Sequence, residues 1–136
     1  MRKILILARE AGSSLEMSDI ENISALPEEC LNAENPDALM ELLKKHEPHF
    51  RKIYDTATAK GNKLKYVASF DKGEARVGLQ EIPPGHPFFN LDGKDNIVAI
   101  NTDRYPVEPL VIKGAGAGAQ VTASGVFSDV MRIVNH

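Results

Sequence analysis

The residues whose types and spacing could bind a ligand lie near the end of the chain. Gly114, Gly116 and Ala119 match G-x-G-x-x-A, a tolerated form of the turn that approaches a dinucleotide between a strand and a helix. Such glycines let the backbone come close to a phosphate, and the following helix N-terminus attracts negative charge. Only 17 residues follow Ala119, too few for a βαβ unit or for an acidic ribose ligand ~20 positions on. The pattern alone therefore favours a plain tight turn, with a turn that borders a cofactor as the alternative.

Histidine is a common metal ligand, so the spacing of the histidines bears on a possible metal site. The chain has four: His46, His49, His86 and His136. His46 and His49 are three positions apart, but Pro48 interrupts the helical face they would share, and no acidic ligand is suitably spaced. We therefore predict no metal site, and we interpret the segment 85–87 around His86 as loop.

Cys30 is the only cysteine of the chain. A single thiol forms neither an internal disulfide nor a cysteine-rich metal site, so a reducing compartment, the cytoplasm, is the predicted location. The residue type predicts a small, partly buried hydrophobic side chain.

Composition places the chain among ordinary globular domains. Its 136 residues are 43% apolar and 26% charged, so one domain with a usable core is expected. The net charge of −3 and the scattered Lys and Arg residues argue against a nucleic-acid partner. No apolar run approaches the ~20 residues that cross a bilayer, and the N-terminal run from Ile4 to Ala8 is too short for a signal peptide. A soluble protein without a membrane partner is expected.

The first half of the chain predicts helices and one strand. Residues 2–11 have helical spacing with Gly12 as a stop, although a strand over residues 4–8 also fits. A strand is plausible around Met17–Ile23. Asn35 and Pro36 predict the start of one helix, and a second helix runs from Pro48 to Gly61. We expect the apolar stripes of this helical hairpin to pack into the core: Leu39, Met40, Leu42, Leu43, Phe50, Ile53, Tyr54 and Ala57.

The second half predicts strands and a final helix. Residues 63–70 and 75–82 alternate around the turn residues 71–73, which predicts a β-hairpin. Residues 96–102 and 107–113 form two further strands. The last helix has an apolar stripe: Ala123, Val126, Phe127, Val130, Met131 and Val134. The expected class is α+β, with a mixed, largely antiparallel sheet.

Two segments together resemble the homoserine dehydrogenase family. Residues 1–12, Met-Arg-Lys-Ile-Leu-Ile-Leu-Ala-Arg-Glu-Ala-Gly, resemble the helix of that family in which an Asp, three intervening residues and a Lys precede a hydrophobic run and Ala-Arg-Glu-x-Gly. Residues 114–129 resemble its C-terminal Gly-x-Gly-Ala-Gly turn and Val-Thr-Ala-x-Gly-Val-Phe-x-Asp. Residues 86–89 and 93–96 are similar to its loop before the penultimate strand. The similarity spans nearly the whole chain in the right order.

The resemblance implies functions for residues that pattern alone leaves unremarkable. A lysine beside an arginine at a helix start is usually just solvated, but Lys3 falls on the family's catalytic lysine, the proton-transfer group between homoserine and aspartate semialdehyde. A lysine does this when burial or neighbouring positive charge lowers its pKa. The family's paired Asp would precede residue 1. Gly118 falls where the family's chain touches NADP or NAD, and the weaker candidates in that turn are Gly114, Gly116 and Thr122.

The resemblance also implies an architecture. Residues 1–113 would be part of a catalytic and dimerisation domain with helices on one face of its sheet. Residues 114–136 would return toward a nucleotide-binding domain that this sequence lacks. The chain then resembles the end of a bifunctional aspartokinase–homoserine dehydrogenase, acting on a small-molecule substrate as a homodimer. We expect the fragment to be inactive and to bind no cofactor by itself; the alternative is a free-standing, non-catalytic dimerisation or ligand-binding domain.

Overall fold

The structure is a computed structural model that describes residues 1–93 and 95–135. The positions of Lys94 and His136 lie outside the described residues, and so do the sequence interpretations that fall on them. The chain divides into two compact units, Met1–Pro84 and Gly85–His136. Each unit is described separately.

The first helix, α1, spans Arg2–Glu10 and removes the ambiguity between helix and strand at the N-terminus. Its buried residues are Ile4, Leu5 and Ala8, one apolar face at helical spacing. The helix ends as predicted at Gly12, which has φ +90°. The Gly12 N–H donates to the Arg9 carbonyl at 2.9 Å, and such a left-handed residue closes a helix at little cost only when it is glycine.

The segment that follows α1 is more broken than the sequence indicates. A 3₁₀ helix occupies Met17–Asp19, the strand β1 is only Glu21–Ile23, and a short helix α2 spans Glu28–Leu31. The strand predicted from Met17 is therefore wrong in its first half. The cause is local, because the Asp19 carboxylate accepts the Glu16 N–H at 2.8 Å and closes a helical turn there. Cys30, on α2, is 3% exposed, which confirms a small buried hydrophobic side chain.

Two consecutive helices, α3 (Pro36–Lys45) and α4 (Glu47–Ala59), meet at His46. The predicted cap is present, since the Asn35 side-chain oxygen accepts the Ala38 N–H at 2.8 Å. Gly61, with φ +71°, ends α4 as predicted.

The apolar stripes of α3 and α4 are buried less evenly than predicted. Ala57 is buried and most of the other members are half-buried. Met40 and Tyr54 are 54% and 56% exposed, so the expectation of core packing is wrong for these two residues. Periodicity along one helix shows which side chains share a face, but not how far the neighbouring elements cover that face.

The sheet of the first unit consists of β1, β2 (Lys63–Asp71) and β3 (Glu74–Ile82), in the order β1-β3-β2. β2 and β3 form the predicted antiparallel hairpin, and β1 pairs with β3 in parallel. The buried cluster joins α1 to this sheet and consists of Ile4, Leu5, Ile20, Ala75 and Val77, with Leu15 and Phe70 at its margin. The core thus fixes the position of α1.

A polar contact ties the end of α4 to β3. The Glu81 carboxylate accepts from the Lys60 ammonium at 3.0 Å and from the Asn62 amide at 3.0 Å. These hydrogen bonds, that of Lys60 first, lower the pKa of Glu81. The pair is exposed to solvent, so it orients the helix end more than it stabilises the fold.

The turn of the β2–β3 hairpin offers a stability prediction. Lys72 and Gly73 both have positive φ, 49° and 86°, the geometry of a type I′ turn. Lysine is strained there, whereas asparagine tolerates it. We expect Lys72→Asn to raise the free energy of unfolding by about 0.5–1 kcal/mol, measured by urea denaturation. Lys72→Ala is the matched control, because it removes the same side chain without relieving the strain; an equal gain in both variants would contradict the explanation.

The second unit contains an antiparallel pair of strands and one helix. β4 spans Asp95–Thr102, β5 spans Tyr105–Ala115, and α5 spans Ala119–Val134. All three elements were predicted, with β5 longer at both ends. Among the described residues the strands form two sheets rather than one. The class is α+β with mixed, largely antiparallel pairing, as expected.

Apolar side chains of the second unit face solvent. The predicted stripe of α5 is present, but α5 has no buried residue, and Phe127 is 65% exposed. On β5, Val107 is 88% exposed. None of the helices in the described part of the chain is long and apolar enough to span a membrane.

Candidate functional site

Lys3 lies in the first turn of α1, on the exposed side of the helix. The opposite side carries Ile4 and Leu5 into the cluster with Val77. The packing of this apolar face therefore fixes the orientation of the helix, and with it the side on which Lys3 lies. The sequence-predicted catalytic residue is held by a rigid element of the first unit.

The four sequence-predicted cofactor residues lie together in the second unit. Gly114 is in the last part of β5, Gly116 and Gly118 follow in the turn, and Thr122 is in the first turn of α5. The Thr122 N–H donates to the Gly118 carbonyl at 3.0 Å, which joins turn and helix. Gly118 is the N-cap residue of α5 and has φ +128° and ψ 157°. Residues other than glycine rarely adopt this conformation.

The backbone of this turn is accessible. A Cβ atom built on Gly114 or Gly118 would meet nothing within 4 Å. The N-cap residue of α5 is Gly118, which makes no side-chain cap hydrogen bond to the first N–H groups of the helix. An exposed glycine backbone leading into a helix N-terminus suits a polar or negatively charged group that approaches closely.

Gly116 differs from the other two glycines of the turn. A Cβ atom there would overlap the side-chain amide of Asn96, lying 2.7 Å from its Cγ atom. Asn96 is on β4, paired with Gly114 of β5. Sequence reasoning did not select Asn96 as a site residue, although it belongs to one of the segments that resemble the family; the contact becomes visible only when β4 and β5 are paired.

The histidines make other contacts. His46 Nε2 lies 3.2 Å from the Glu29 carboxylate, and His49 Nε2 lies 3.1 Å from the Ala25 carbonyl oxygen. Hydrogen bonds from Lys45, and then from His46, lower the pKa of Glu29. His86 Nδ1 accepts the N–H of the residue two positions on, which organises its loop. Over residues 1–93 and 95–135, no three His, Cys, Asp or Glu side chains are grouped as potential metal ligands.

An open depression in the first unit has a volume of about 460 Å³. It lies beside the loop after α1, and its lining includes Gly12, Ser13, Ser14 and Asp19. None of the sequence-predicted site residues lines it. The lysine and the glycine turn, rather than this depression, remain the candidate functional residues.

Comparison with known proteins assigns the family. The family model described as homoserine dehydrogenase matches residues 1–131. The bifunctional aspartokinase/homoserine dehydrogenase 2 of Zea mays is 39% identical over 99% of this chain, which covers 15% of that protein. The homoserine dehydrogenase of Schizosaccharomyces pombe is 35% identical over 98% of the chain and 36% of its own length. The chain belongs to the homoserine dehydrogenase family.

A solved structure supports the fold. The crystal structure of a Candida auris protein of unknown function superposes with a TM-score of 0.86 at 38% identity. The match covers 99% of this chain and 38% of that protein. The chain thus spans between 15% and 38% of the lengths of these relatives.

Proposed function

We propose that this chain is the C-terminal portion of an NAD(P)-dependent homoserine dehydrogenase that interconverts aspartate semialdehyde and homoserine, a reaction of threonine and methionine biosynthesis. The observation that carries the proposal is the family match over residues 1–131. The similarity to bifunctional proteins of Zea mays and Haemophilus influenzae favours a parent with an aspartokinase in the same chain. The cytoplasm is the proposed location.

In this proposal Lys3 transfers the proton. NAD(P)H, when bound, supplies the hydride that reduces the aldehyde carbon. Lys3 donates a proton to the oxygen that becomes the hydroxyl of homoserine, and it accepts that proton in the reverse direction. Its place on the exposed side of α1 leaves it accessible to a substrate held by other parts of the enzyme. Those parts would also exclude water around it.

The glycine turn borders the cofactor in this proposal. Gly118 provides the contact, with Gly114, Gly116 and Thr122 beside it. The supporting features are the open space at Gly114 and Gly118 and the uncapped start of α5, which fit the close approach of a nucleotide cofactor. The turn is an accessory contact, and the main nucleotide-binding fold would be another domain.

The exposed apolar surfaces suggest how the chain is completed. We assign residues 1–113 to a catalytic and dimerisation domain and residues 114–136 to a segment that packs on the nucleotide-binding domain. The exposed apolar stripe of α5 supports this, because monomeric soluble proteins rarely present large contiguous apolar patches. The parent enzyme would be a homodimer.

The test compares the 136-residue chain with the longest protein that its gene encodes. Oxidation of NADPH by aspartate semialdehyde is followed by absorbance. We expect turnover from the longer protein and none from the chain alone, because hydride transfer requires a positioned cofactor. The longer protein truncated to remove this segment is the control and should also be inactive.

Each outcome of this comparison discriminates. Turnover by the 136-residue chain would contradict the division of functions between domains. A longer protein that neither turns over nor binds NADPH or NADH would overturn the proposal and favour a non-catalytic domain, which would self-associate through its apolar surface regardless of cofactor.

A further inference from the structure

The inference concerns the contact between Asn96 and Gly116 in the second unit. Of the three glycines in the turn, only Gly118 requires glycine for its φ angle. At Gly116 a Cβ atom would lie 2.7 Å from Cγ and 3.5 Å from Cβ of Asn96, so an alanine there would displace the Asn96 amide. The Asn96 side chain therefore occupies the volume that any larger residue at position 116 would fill.

The strand pairing brings Asn96 close to the turn. Asn96 is the second residue of β4 and faces Gly114, two residues before Gly116 on the partner strand. Its neighbour Asp95 pairs with Ala115, and the Asp95 carboxylate lies 3.8 Å from the Lys113 ammonium. The ladder thus brings the start of β4 against the point where β5 becomes the turn. The Asn96 side chain reaches Gly116, two positions beyond its partner Gly114, as the distances at Gly116 show.

We propose that Asn96 is a positioning residue for the cofactor: its side-chain amide, seated on Gly116, holds the glycine turn in the form that receives the nucleotide. The proposal rests on the proposed function of the turn. Asn96 acts on the backbone of the turn and need not touch the cofactor. A glycine-rich turn has many accessible conformations, and ordering it on binding costs conformational entropy. A side chain that already restricts the free turn reduces that cost.

The experiment uses the longer protein and four variants: Asn96→Ala, Gly116→Ala, the double variant Asn96→Ala/Gly116→Ala, and Asn101→Ala. The dissociation constant of NADPH is measured by fluorescence, and kcat and the KM values by steady-state kinetics. We expect Asn96→Ala to weaken NADPH binding about tenfold, while kcat at saturating cofactor and the KM for aspartate semialdehyde stay within about twofold.

The double variant tests the contact itself. Gly116→Ala should weaken NADPH binding at least as much as Asn96→Ala, because the new methyl group meets the amide. Removing that amide makes room for the methyl group. The dissociation constant of the double variant should therefore be no higher than that of the single variant that binds NADPH more weakly. Asn101→Ala, which removes the same side chain from an exposed position further along β4, is the matched control and should bind normally.

Three results would overturn the inference. They are unchanged NADPH binding in Asn96→Ala, additive losses in the double variant, or an equal loss of substrate and cofactor affinity, which would indicate general misfolding. If the unaltered longer protein bound NADPH while Asn96→Ala did so equally well, only the positioning role would fail. If the unaltered protein bound neither NADPH nor NADH, the proposed function would fail with it.

Discussion

Replacing Lys3 by alanine in the longer protein should lower kcat by about 10²–10⁴-fold, the range typical of a lost general acid–base group. The cofactor dissociation constant should change little, because the proposed function gives Lys3 the proton transfer and gives the cofactor contact to the turn before α5. The loss should appear in both reaction directions, since one group donates the proton in reduction and accepts it in oxidation. Steady-state kinetics with aspartate semialdehyde and with homoserine provide the measurement.

Two companion variants separate chemistry from charge. Lys3→Arg keeps the positive charge but carries a guanidinium that stays protonated, so it should remain nearly as inactive as Lys3→Ala. Lys52→Ala removes an exposed lysine of α4 and should keep normal activity. If Lys3→Ala retained more than about a tenth of the normal kcat, Lys3 would not be the proton-transfer group.

The elements that local chemistry determines were predictable from the sequence. Asn35 before Pro36 predicted a cap and a helix start, and the structure has both. Gly61 and Gly73 predicted a helix end and a hairpin turn, and both have positive φ. In each case the cause is local. The two partners of the hydrogen bond lie within a few residues of each other, or the turn needs a backbone conformation that glycine adopts without strain.

The features that depend on distant partners were not predictable. A strand was predicted around Met17–Ile23, but not that only Glu21–Ile23 is a strand, nor that it pairs in parallel with β3, more than 50 positions away. Met40 and Tyr54 fit their apolar stripes yet lie exposed, because burial depends on what the neighbouring elements cover. The Asn96–Gly116 contact likewise requires the register of β4 with β5.

The candidate site shows the same division. The glycine spacing at 114–119 predicted a strand-to-helix turn correctly, but no pattern distinguished a cofactor contact from a plain turn. The prediction of a catalytic role for Lys3 depends on the family resemblance alone, because a solvated lysine and a catalytic lysine look identical in sequence. The chemistry of a lysine depends on the groups that surround it in space. The periodicity of α1 predicts only which apolar residues are buried, and Lys3 is not among them.

A charge at Val77 should unfold the first unit. Val77 is 2% exposed and lies in the cluster that joins α1 to the sheet. We expect Val77→Asp to lower the free energy of unfolding by at least about 4 kcal/mol, because a carboxylate there would be buried without a partner or would have to become protonated. Native domains have only about 5–15 kcal/mol in total. Far-UV circular dichroism during urea denaturation of the 136-residue chain measures the change.

Two further variants separate the effect of burial at Val77 from that of the added charge, and connect this position to function. Val107→Asp makes the same substitution at a valine that is 88% exposed, and it should change the stability of the first unit by less than about 0.5 kcal/mol. The milder Val77→Ala should leave a fold but loosen the packing of Ile4 and Leu5. In the longer protein it should then reduce kcat while leaving NADPH affinity intact, because α1 carries Lys3. A Val77→Asp variant as stable as Val107→Asp would show that this cluster does not hold α1 in place.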